Sequence, residues 1–393
     1  MLAPVIGRTF GGQLGHRVAF AVFALLLPVG LLLLHHIRVL LVEWHCVHSP
    51  ERPLLPAQDV RGLETFHVAM STTFSLDNFE GVLSVLVSFA RHVADPGSCV
   101  VHIIAPGHDE PKVSELVQCW QRELELAGVQ RLPRVQFHEL RFLSPTAHLL
   151  PTQHGKIHRI GLVNPSTFVR LNLPDYLPDV RRVLWLDHDL VIKADLTPVY
   201  RMHMRKPVAA TTEWCARESP QYLLPSLCPL AFYYVLCPDC VKRRIDEGTT
   251  IDWPRASRSN VFNTGVLLMD LDKWREDGLS ERILDWVNTT NGLEGDQVAL
   301  NIFLGGTDGI DELDFRWNMF LHHAQELENV LFPRACSDSA RIVHFSGDCK
   351  PWTRWIDPAN KDQSCITSAL PHTRRVYHEW LKPTRLECPL LAR

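Results

Sequence analysis

The segment Val183-Leu184-Trp185-Leu186-Asp187-His188-Asp189 joins four apolar residues directly to two carboxylates. A short, continuous apolar run is typical of a strand that is buried on both faces of a parallel sheet. Such sheets carry their functional groups beyond the carboxyl ends of their strands. Asp187 and Asp189 follow the run at such an end, and two ionised carboxylates this close repel each other unless a cation lies between them. Carboxylate oxygens suit hard divalent cations, so the segment predicts a manganese or magnesium site.

A structural role is the alternative interpretation of this carboxylate pair. Asp-x-Asp sequences are short and frequent, and many such aspartates cap helices or stabilise turns. The position of the pair at the end of an apolar run favours the metal site. The choice between the two interpretations depends on the rest of the chain.

Apolar runs elsewhere in the chain alternate with helical patterns. Strands are predicted at 65–70, 99–105, 135–140, 207–212, 262–271 and 342–345, and helices near 77–90, 113–127, 166–173, 280–287 and 296–303. This alternation is typical of an α/β domain whose mostly parallel central sheet is connected by crossover helices. The Asn263-Thr264-Gly265 sequence is interpreted as a polar corner that precedes its strand.

The amino-terminal region predicts a membrane anchor. Residues 18–34 carry no charge, and as a helix they would span about 26 Å, which is the lower limit for crossing a bilayer. A cleaved signal peptide and a buried soluble helix are the alternatives, but the run lacks a small-residue cleavage site and a polar face. We predict a cytosolic tail at 1–17, a signal anchor at 18–42, a stem at 43–60 and a lumenal domain at 61–393. This describes a single-pass type II protein of the Golgi or endoplasmic reticulum membrane.

The composition agrees with a lumenal globular domain. The 393 residues are 46% hydrophobic and 21% charged, which suffices for a sizeable core. A formal net charge of −4 argues against a nucleic-acid partner, which would require a basic surface. The 11 cysteines suit an oxidising compartment. Asn288-Thr289-Thr290 is an N-glycosylation sequon, and Cys237-Pro238-Asp239-Cys240 is interpreted as a local disulfide or two loop thiols rather than a zinc site.

A second polar cluster follows the last predicted strand. His344 ends that strand and Lys350 lies six residues further on. An imidazole can complete the ligand set of a metal already held by carboxylates, and an ammonium group suits phosphate oxygens. A purely structural, hydrogen-bonding histidine is the alternative.

Four motifs in this order resemble glycosyltransferase family 8, which includes glycogenin-like, bacterial galactosyltransferase and plant galacturonosyltransferase-type enzymes. They are Leu184-Trp185-Leu186-Asp187-His188-Asp189, Phe262-Asn263-Thr264-Gly265-Val266-Leu267-Leu268-Met269-Asp270-Leu271-Asp272-Lys273-Trp274-Arg275, Gly295-Asp296-Gln297 and His344-Phe345-Ser346-Gly347-Asp348-Cys349-Lys350-Pro351-Trp352. The resemblance covers roughly residues 61–356. Val68-Ala69-Met70-Ser71 and Arg316-Trp317-Asn318 are most similar to the galacturonosyltransferase-like branch.

The resemblance implies a GT-A fold, which is a Rossmann-like α/β domain, and a UDP-sugar donor. It implies that Asp187, Asp189 and His344 bind Mn²⁺ or Mg²⁺. Lys350 would contact the donor diphosphate, and Gly347 would let the backbone approach it. The acceptor would be a glycan or another hydroxyl compound.

The resemblance also assigns residues around the donor. They are Arg170, Asn263 and Thr264 near the sugar, Asp296 and Gln297 on the catalytic face, and Ser71 and Thr73 near the nucleotide. Family members retain the anomeric configuration, and in retaining hydrolases a carboxylate is usually the nucleophile. Gln297 is an amide and a poor nucleophile, so we expect front-face attack by the acceptor hydroxyl. The cation and Lys350 would stabilise the charge that develops on the diphosphate.

Thr73 departs from the family pattern, because many relatives carry an aspartate there that helps to hold uracil and ribose. A hydroxyl group bonds more weakly than a carboxylate. The second hypothesis is therefore a catalytically weak or inactive relative that binds a glycan or a partner protein. A nucleotidyltransferase would need further acidic ligands and a glycine-rich phosphate loop, and the sequence supplies neither. The donor sugar (a hexose, pentose or hexuronic acid) and the oligomeric state are left open.

Overall fold

The computed structural model describes residues 46–57, 64–72, 76–141, 165–212, 214–215, 226–227, 251–256, 259–289, 296–320, 338–346 and 350–351, with 33, 37, 40 and 44. Thr73, Gly347 and nearly all of the predicted anchor lie outside these residues. Within the described part of the chain, no helix combines the length and the apolar character needed to cross a bilayer.

The described elements alternate between strands and helices along the chain. The strands are β1 (Phe66–Ser71), β2 (Cys99–Ala105), β3 (Arg134–Glu139), β4 (Arg182–Leu186), β5 (Leu190–Ile192), β6 (Val208–Thr212), β7 (Trp214–Cys215), β8 (Ser226–Leu227), β9 (Phe262–Asp270), β10 (Ile310–Leu313), β11 (Met319–Phe320) and β12 (Ile342–His344). The α-helices are α1 (Leu76–His92), α2 (Glu110–Leu126), α3 (Leu173–Tyr176), α4 (Thr197–Arg201), α5 (Trp253–Ala256), α6 (Leu271–Glu276), α7 (Leu279–Thr289) and α8 (Gln297–Thr307). Short 3₁₀ segments lie at Pro96–Ser98, Gly107–Asp109, Pro165–Asn172 and Phe315–Asn318.

Strand β4 is central in a seven-stranded sheet with the order β10-β6-β9-β4-β1-β2-β3. Strands β4, β1, β2 and β3 are parallel to one another, and β6 is parallel to β10. Strand β9 is antiparallel to both of its neighbours. The predicted α/β architecture with a mostly parallel central sheet is therefore confirmed.

The reversed direction of β9 brings its first residues to the carboxyl end of β4. Leu186 pairs with Val266, and the Asp187 backbone N–H donates to the Gly265 carbonyl oxygen at 2.8 Å. Asn263, Thr264 and Gly265 therefore lie beside the two acids. The prediction that these three residues form a corner before the strand is wrong, because they lie within β9.

A three-stranded sheet, in the order β11-β12-β5, brings the last strand to the same place. Strand β12 is antiparallel to β5, and His344 pairs with Leu190, the residue after Asp189. The Phe345 N–H donates to the Asp189 carbonyl oxygen at 2.9 Å. Asn318 immediately precedes β11, which runs parallel to β12.

Apolar side chains fill both faces of the large sheet. Consecutive residues of one strand belong to different clusters, since side chains of a strand alternate between its faces. Val68 packs in a cluster with α1 and α2, and its neighbour Ala69 packs in a cluster with α7 and α8. A core of this kind is close-packed, so it holds the strand ends in fixed positions.

Residues 46–57 pack against the domain, although they belong to the segment predicted as a stem. The Arg316 guanidinium group donates to the carbonyl oxygens of Cys46 (3.3 Å) and Ser49 (2.8 Å). The Arg52 backbone N–H donates to Asp314 Oδ2 at 2.7 Å. We call residues 46–57 the amino-terminal clasp.

The remaining differences from the predicted elements are local. The helix predicted at 166–173 is a 3₁₀ segment, Pro165–Asn172, followed by the short helix α3. Strands β5, β10 and β11 were not among the predicted strands.

Candidate metal centre

Three predicted metal ligands converge at the carboxyl end of β4. Asp187, Asp189 and His344 each place one ligand atom within 4.8 Å of the other two. Asp189 and His344 are buried, whereas the Asp187 side chain is 25% exposed. The cluster is therefore accessible from the Asp187 side and closed on the other.

Asp189 lies between two cationic or polar partners. His344 Nε2 is 3.2 Å from Asp189 Oδ1, and Lys350 Nζ is 2.5 Å from Asp189 Oδ2. Lys350 also donates to the Phe345 carbonyl oxygen at 2.8 Å. Burial would raise the pKa of Asp189, but Lys350 and His344 outweigh that effect and hold this pKa well below its usual value. Asp189 is therefore an anion.

The chemistry of the cluster fits a hard divalent cation. Two carboxylates and one imidazole are a suitable donor set for Mn²⁺ or Mg²⁺. Asp189 Oδ1 is buried and accepts no hydrogen bond with good geometry from the described residues. A buried anionic oxygen in this state is costly unless a cation reaches it.

Asp187 is oriented by two neighbours. The Trp185 indole Nε1–H donates to Asp187 Oδ1 at 2.8 Å, and an Arg170 guanidinium nitrogen lies 3.3 Å from the same oxygen. The Arg170 guanidinium also lies over the Trp185 ring, 4.8 Å from its centroid. Trp185 therefore contacts both the Asp187 carboxylate and the Arg170 guanidinium group, and it orients both.

Arg170 links the metal cluster to the start of α8. It is buried and donates to the Thr264 carbonyl oxygen at 2.5 Å. Its Nε lies 2.9 Å from Asp296 Oδ2, although the Nε–H points at the Thr167 carbonyl oxygen, at 3.3 Å. The contact with Asp296 is therefore Coulombic rather than a hydrogen bond.

Asp296 is buried at the N-cap position of α8. Burial raises the pKa of Asp296 to about 6, Arg170 opposes the rise, and Asp187 adds to it. The ionised form of the Asp296 carboxyl group is therefore less favoured than the ionised form of Asp189.

Gln297 has a carbonyl oxygen that is already engaged. The Thr264 backbone N–H and hydroxyl group donate to Gln297 Oε1 at 3.3 and 3.1 Å. A backbone N–H can only donate, so this contact identifies the oxygen of the Gln297 amide. An oxygen that accepts two hydrogen bonds is a still weaker nucleophile.

The structure connects most of the predicted site residues. Those joined by the contacts above are Arg170, Asp187, Asp189, Thr264, Asp296, Gln297, His344 and Lys350. Asn263 joins them through Gly265 and Asn318. Ser71 is buried at the end of β1. Continuing the pairing of Ala69 with Trp185 brings Ser71 level with Asp187, but no hydrogen bond in the described part of the chain joins it to the cluster.

Two functional positions, Trp185 and Asn318, were not identified as site residues from the sequence. Trp185 stands two residues before Asp187, on the same side of an extended strand, and that spacing could have indicated its contact. Asn318 lies 26 positions before His344 in the sequence, so no local pattern indicates the hydrogen bond between them.

The chain is similar to a protein family and to individual proteins of known sequence or structure. The family model described as "Glycosyl transferase family 8" matches residues 132–356, which is more than half of the chain. "Probable galacturonosyltransferase-like 4" of Arabidopsis thaliana is 24% identical over 78% of this chain and 82% of the relative. "Probable galacturonosyltransferase-like 6" of the same plant is 26% identical over 73% of this chain and 74% of the relative. A solved structure of the galactosyltransferase LgtC with donor and acceptor sugar analogs covers 80% of this chain and 96% of its own, at 18% identity and a TM-score of 0.49.

Proposed function

We propose, because this chain belongs to glycosyltransferase family 8, that it is a metal-dependent, retaining glycosyltransferase that uses a UDP-sugar. The observation that carries the proposal is the meeting of Asp187, Asp189 and His344 at one strand end, although 155 sequence positions separate Asp189 from His344. Mn²⁺ is the expected cation, with Mg²⁺ as the alternative. The mixed α/β sheet is consistent with the GT-A fold that the family implies.

The chain's own residues would bind and orient the donor. A divalent cation in this site would supply positive charge for the leaving diphosphate. Lys350 would add a second positive charge once the cation replaces it beside Asp189. Because Arg170 and Trp185 already fix Asp187, little reorganisation is needed when charge develops on the donor.

The acceptor hydroxyl would attack from the face that the diphosphate leaves. Gln297 is unsuited to form a covalent glycosyl intermediate, since its oxygen is held by Thr264. Replacing Gln297 with Ala should therefore leave measurable transfer. Complete loss of transfer, with intact folding and donor binding, would contradict this mechanism.

Turnover with a panel of UDP-sugars tests the function directly. UDP release would be measured with and without Mn²⁺, starting with UDP-galacturonate because of the names of the two plant relatives. Asp189→Asn should abolish metal-dependent release. Asp272→Asn is the matched control, because Asp272 is half exposed and pairs with Arg275 on the helix that begins where β9 ends. Glycan binding without UDP release would instead favour the catalytically inactive relative.

The predicted location also belongs to this proposal. A type II protein of the Golgi or endoplasmic reticulum membrane would keep residues 61–393 in the lumen. Cys46 and Cys119 are each disulfide-bonded, which agrees with an oxidising compartment. Extraction of the full chain from membranes by detergent but not by alkaline carbonate would support an anchor at residues 18–42.

A further inference from the structure

We propose that Asn318 and Asn263 form a relay that holds the His344 imidazole with Nε2 toward the two acids and thereby raises the affinity of the site for its cation. The inference rests on the proposed function, because it gives both residues a positioning role for the same metal ligand. Asn318 Oδ1 lies 3.0 Å from His344 Nδ1. Asn318 Nδ2 donates to Asn263 Oδ1 at 2.8 Å, and the Gly265 backbone N–H donates to the same oxygen at 2.8 Å.

The backbone amide of Gly265 sets the direction of the whole relay. The oxygen and nitrogen of an asparagine amide are interchangeable in position unless their partners distinguish them. A backbone N–H can only donate, so the Asn263 atom that faces Gly265 is the oxygen. Asn318 must then present its NH₂ group to that oxygen and its own oxygen to the imidazole.

The direction of the relay decides which nitrogen of His344 faces the acids. The Asn318 oxygen can only accept, so it receives the proton of Nδ1. Nε2 faces Asp189 Oδ1, 3.2 Å away, and is the nitrogen left to bind a cation, which would displace any proton that Nε2 carries.

Burial makes the opposite tautomer costly. Asn263, Asn318 and His344 are exposed by 7%, 2% and 3%, respectively. A ring without a proton on Nδ1 would turn a lone pair toward the Asn318 oxygen, and two acceptors would be left without a donor where water does not compensate them. The relay therefore keeps Nδ1 protonated and Nε2 directed at the cation site.

The nitrogen of His344 that binds the cation is the first test. The full chain, labelled with ¹⁵N-histidine, would be studied by NMR at about pH 8 with and without Mg²⁺, which is diamagnetic. His344 would be assigned with the His344→Gln variant. We expect Mg²⁺ to bind at Nε2 while Nδ1 keeps its proton; binding at Nδ1, with the proton on Nε2, would overturn the relay.

Cation affinity in two Asn318 variants is the second test. Mn²⁺ binding would be followed by electron paramagnetic resonance. Asn318→Leu removes the acceptor and should weaken Mn²⁺ binding about 10–100-fold, with turnover recovered in part at high Mn²⁺. Asn318→Asp keeps an acceptor for Nδ1–H and adds a negative charge, so its Mn²⁺ affinity should equal or exceed that of the wild type.

Asn301→Leu is the control for loss of a buried amide. Asn301 is equally buried and bonds the backbone of Phe262 and Gln297, so its replacement should lower stability without weakening Mn²⁺ binding. Equal Mn²⁺ affinity in folded Asn318→Leu and in the wild type, or an equal loss in both leucine variants, would overturn the relay.

The two proposals fail in different ways. A chain that binds the cation through Nε2 of His344 but releases no UDP from any UDP-sugar would contradict the proposed function and leave the relay intact. A chain that releases UDP with Mn²⁺ but binds the cation through Nδ1 would do the reverse. If Asn318→Leu does not fold, the wild-type spectrum still decides which nitrogen binds the cation.

Discussion

Gly265 is the residue at which β9 leaves room for the imidazole of His344. A Cβ atom there would overlap His344 Cε1 and would lie 2.8 Å from His344 Nδ1 and 3.0 Å from Asn263 Oδ1. Because His344 is buried, it cannot move aside without disturbing its neighbours. Gly265→Ala should therefore weaken Mn²⁺ binding by at least about 10-fold and lower stability by about 1–3 kcal/mol.

A second glycine separates this steric effect from a general loss of stability. Gly278 has a φ of +59°, and no heavy atom lies within 4 Å of the point that a Cβ would occupy there. Gly278→Ala therefore introduces backbone strain alone. Urea unfolding and Mn²⁺ titration of both variants would be compared. Undiminished Mn²⁺ affinity in Gly265→Ala would show that His344 does not need this space.

Lys350 carries a charge that the reaction would use. In the structure it pairs with Asp189, and a cation bound at the acids would free it for the diphosphate. Lys350→Met should lower turnover by about 10²–10³, while Mn²⁺ affinity is retained or increased because a competing positive charge is removed. Steady-state UDP release and Mn²⁺ titration measure the two effects.

Lys112→Met is the matched control for Lys350→Met. Lys112 forms an ion pair with Asp109 at the start of α2, and its side chain is 50% exposed. Turnover in this variant should equal that of the wild type. A similar turnover in both lysine variants would remove Lys350 from the donor site.

Sequence patterns indicate the ionic residues of the site, and the family resemblance adds the neutral residues Asn263, Thr264 and Gln297, but neither indicates Trp185 or Asn318. Asp187, Asp189 and His344 follow apolar strands, and that position marks them. Asn318 stands in a short 3₁₀ segment without periodicity, and its contact with His344 depends on how β11 lies beside β12. That pairing is a tertiary property, so no local signal reports it.

At the level of elements, three neighbouring strands carry a row of histidines. His67 Nδ1 lies 2.9 Å from His102 Nε2, and His102 Nδ1 lies 3.0 Å from His138 Nε2. Burial lowers the pKa of His102 to about 3, with further lowering by the two flanking histidines. Burial also lowers the pKa values of His67, where Arg134 adds to the effect, and of His138.

This row predicts a loss of stability in acid. The unfolded chain binds a proton at His102 near pH 6.5, whereas the folded chain does not until about pH 3. The stabilisation from the neutral His102 is therefore fully present above pH 6.5. The free energy of unfolding decreases as the pH falls from 6.5 toward 3, by up to about 1.4 kcal/mol per pH unit for His102 alone.

Replacing the central histidine tests this dependence. His102→Gln removes the titrating group, so the decrease in unfolding free energy between pH 7 and pH 5 should be smaller than in the wild type. Urea unfolding at both pH values measures it. His108→Gln, at a side chain that is 80% exposed, should keep the wild-type decrease; an unchanged decrease in His102→Gln would contradict the prediction.

The amino-terminal clasp depends on one buried arginine. Arg316 pairs with Asp314 and donates to the carbonyl oxygens of Cys46 and Ser49. Arg316→Leu leaves the Asp314 carboxylate without its cation and should cost about 3–5 kcal/mol. The clasp should also become sensitive to proteases.

Limited proteolysis with mass analysis of the fragments would locate the cleavage. Arg131→Leu is the control, because its side chain is 70% exposed and an exposed ion pair contributes little. Resistance of the clasp in Arg316→Leu would mean that other contacts, such as the Glu51–Arg341 pair, hold it.

Long elements were predictable and short ones were not. Strand β2 has the bounds that its apolar run predicts, because six of its seven residues are apolar and leave little ambiguity about where the strand begins and ends. Strands β5, β10 and β11 have two to four residues, which is too short for periodicity to appear. The antiparallel direction of β9 is also not predictable from its sequence, because a strand's residues do not determine the direction of the strands that pair with it.

For the whole molecule, covalent links add to the packing. Cys46 and Cys119 are each disulfide-bonded, while Cys99 is a buried free thiol whose pKa is raised to about 12 by burial. A thiol of this kind is inert. Reduction should lower the unfolding free energy by about 2–5 kcal/mol per disulfide.

Thermal unfolding with and without a reductant measures this difference. Cys99→Ala should lose as much stability on reduction as the wild type, because Cys99 takes no part in a disulfide. Identical unfolding in both conditions would contradict a stabilising role for these disulfides.

The metal cluster is assembled from pieces that the ribosome makes far apart in time. A growing chain that has reached β11 already contains both acids, Gly265 and Asn318, but not His344. Because β12 must still be synthesised and pair with β5 before the imidazole arrives, no nascent fragment that ends before His344 contains the complete ligand set. Any cation would therefore be loaded late in biogenesis, and it would stabilise a site that folding has already assembled rather than start that folding.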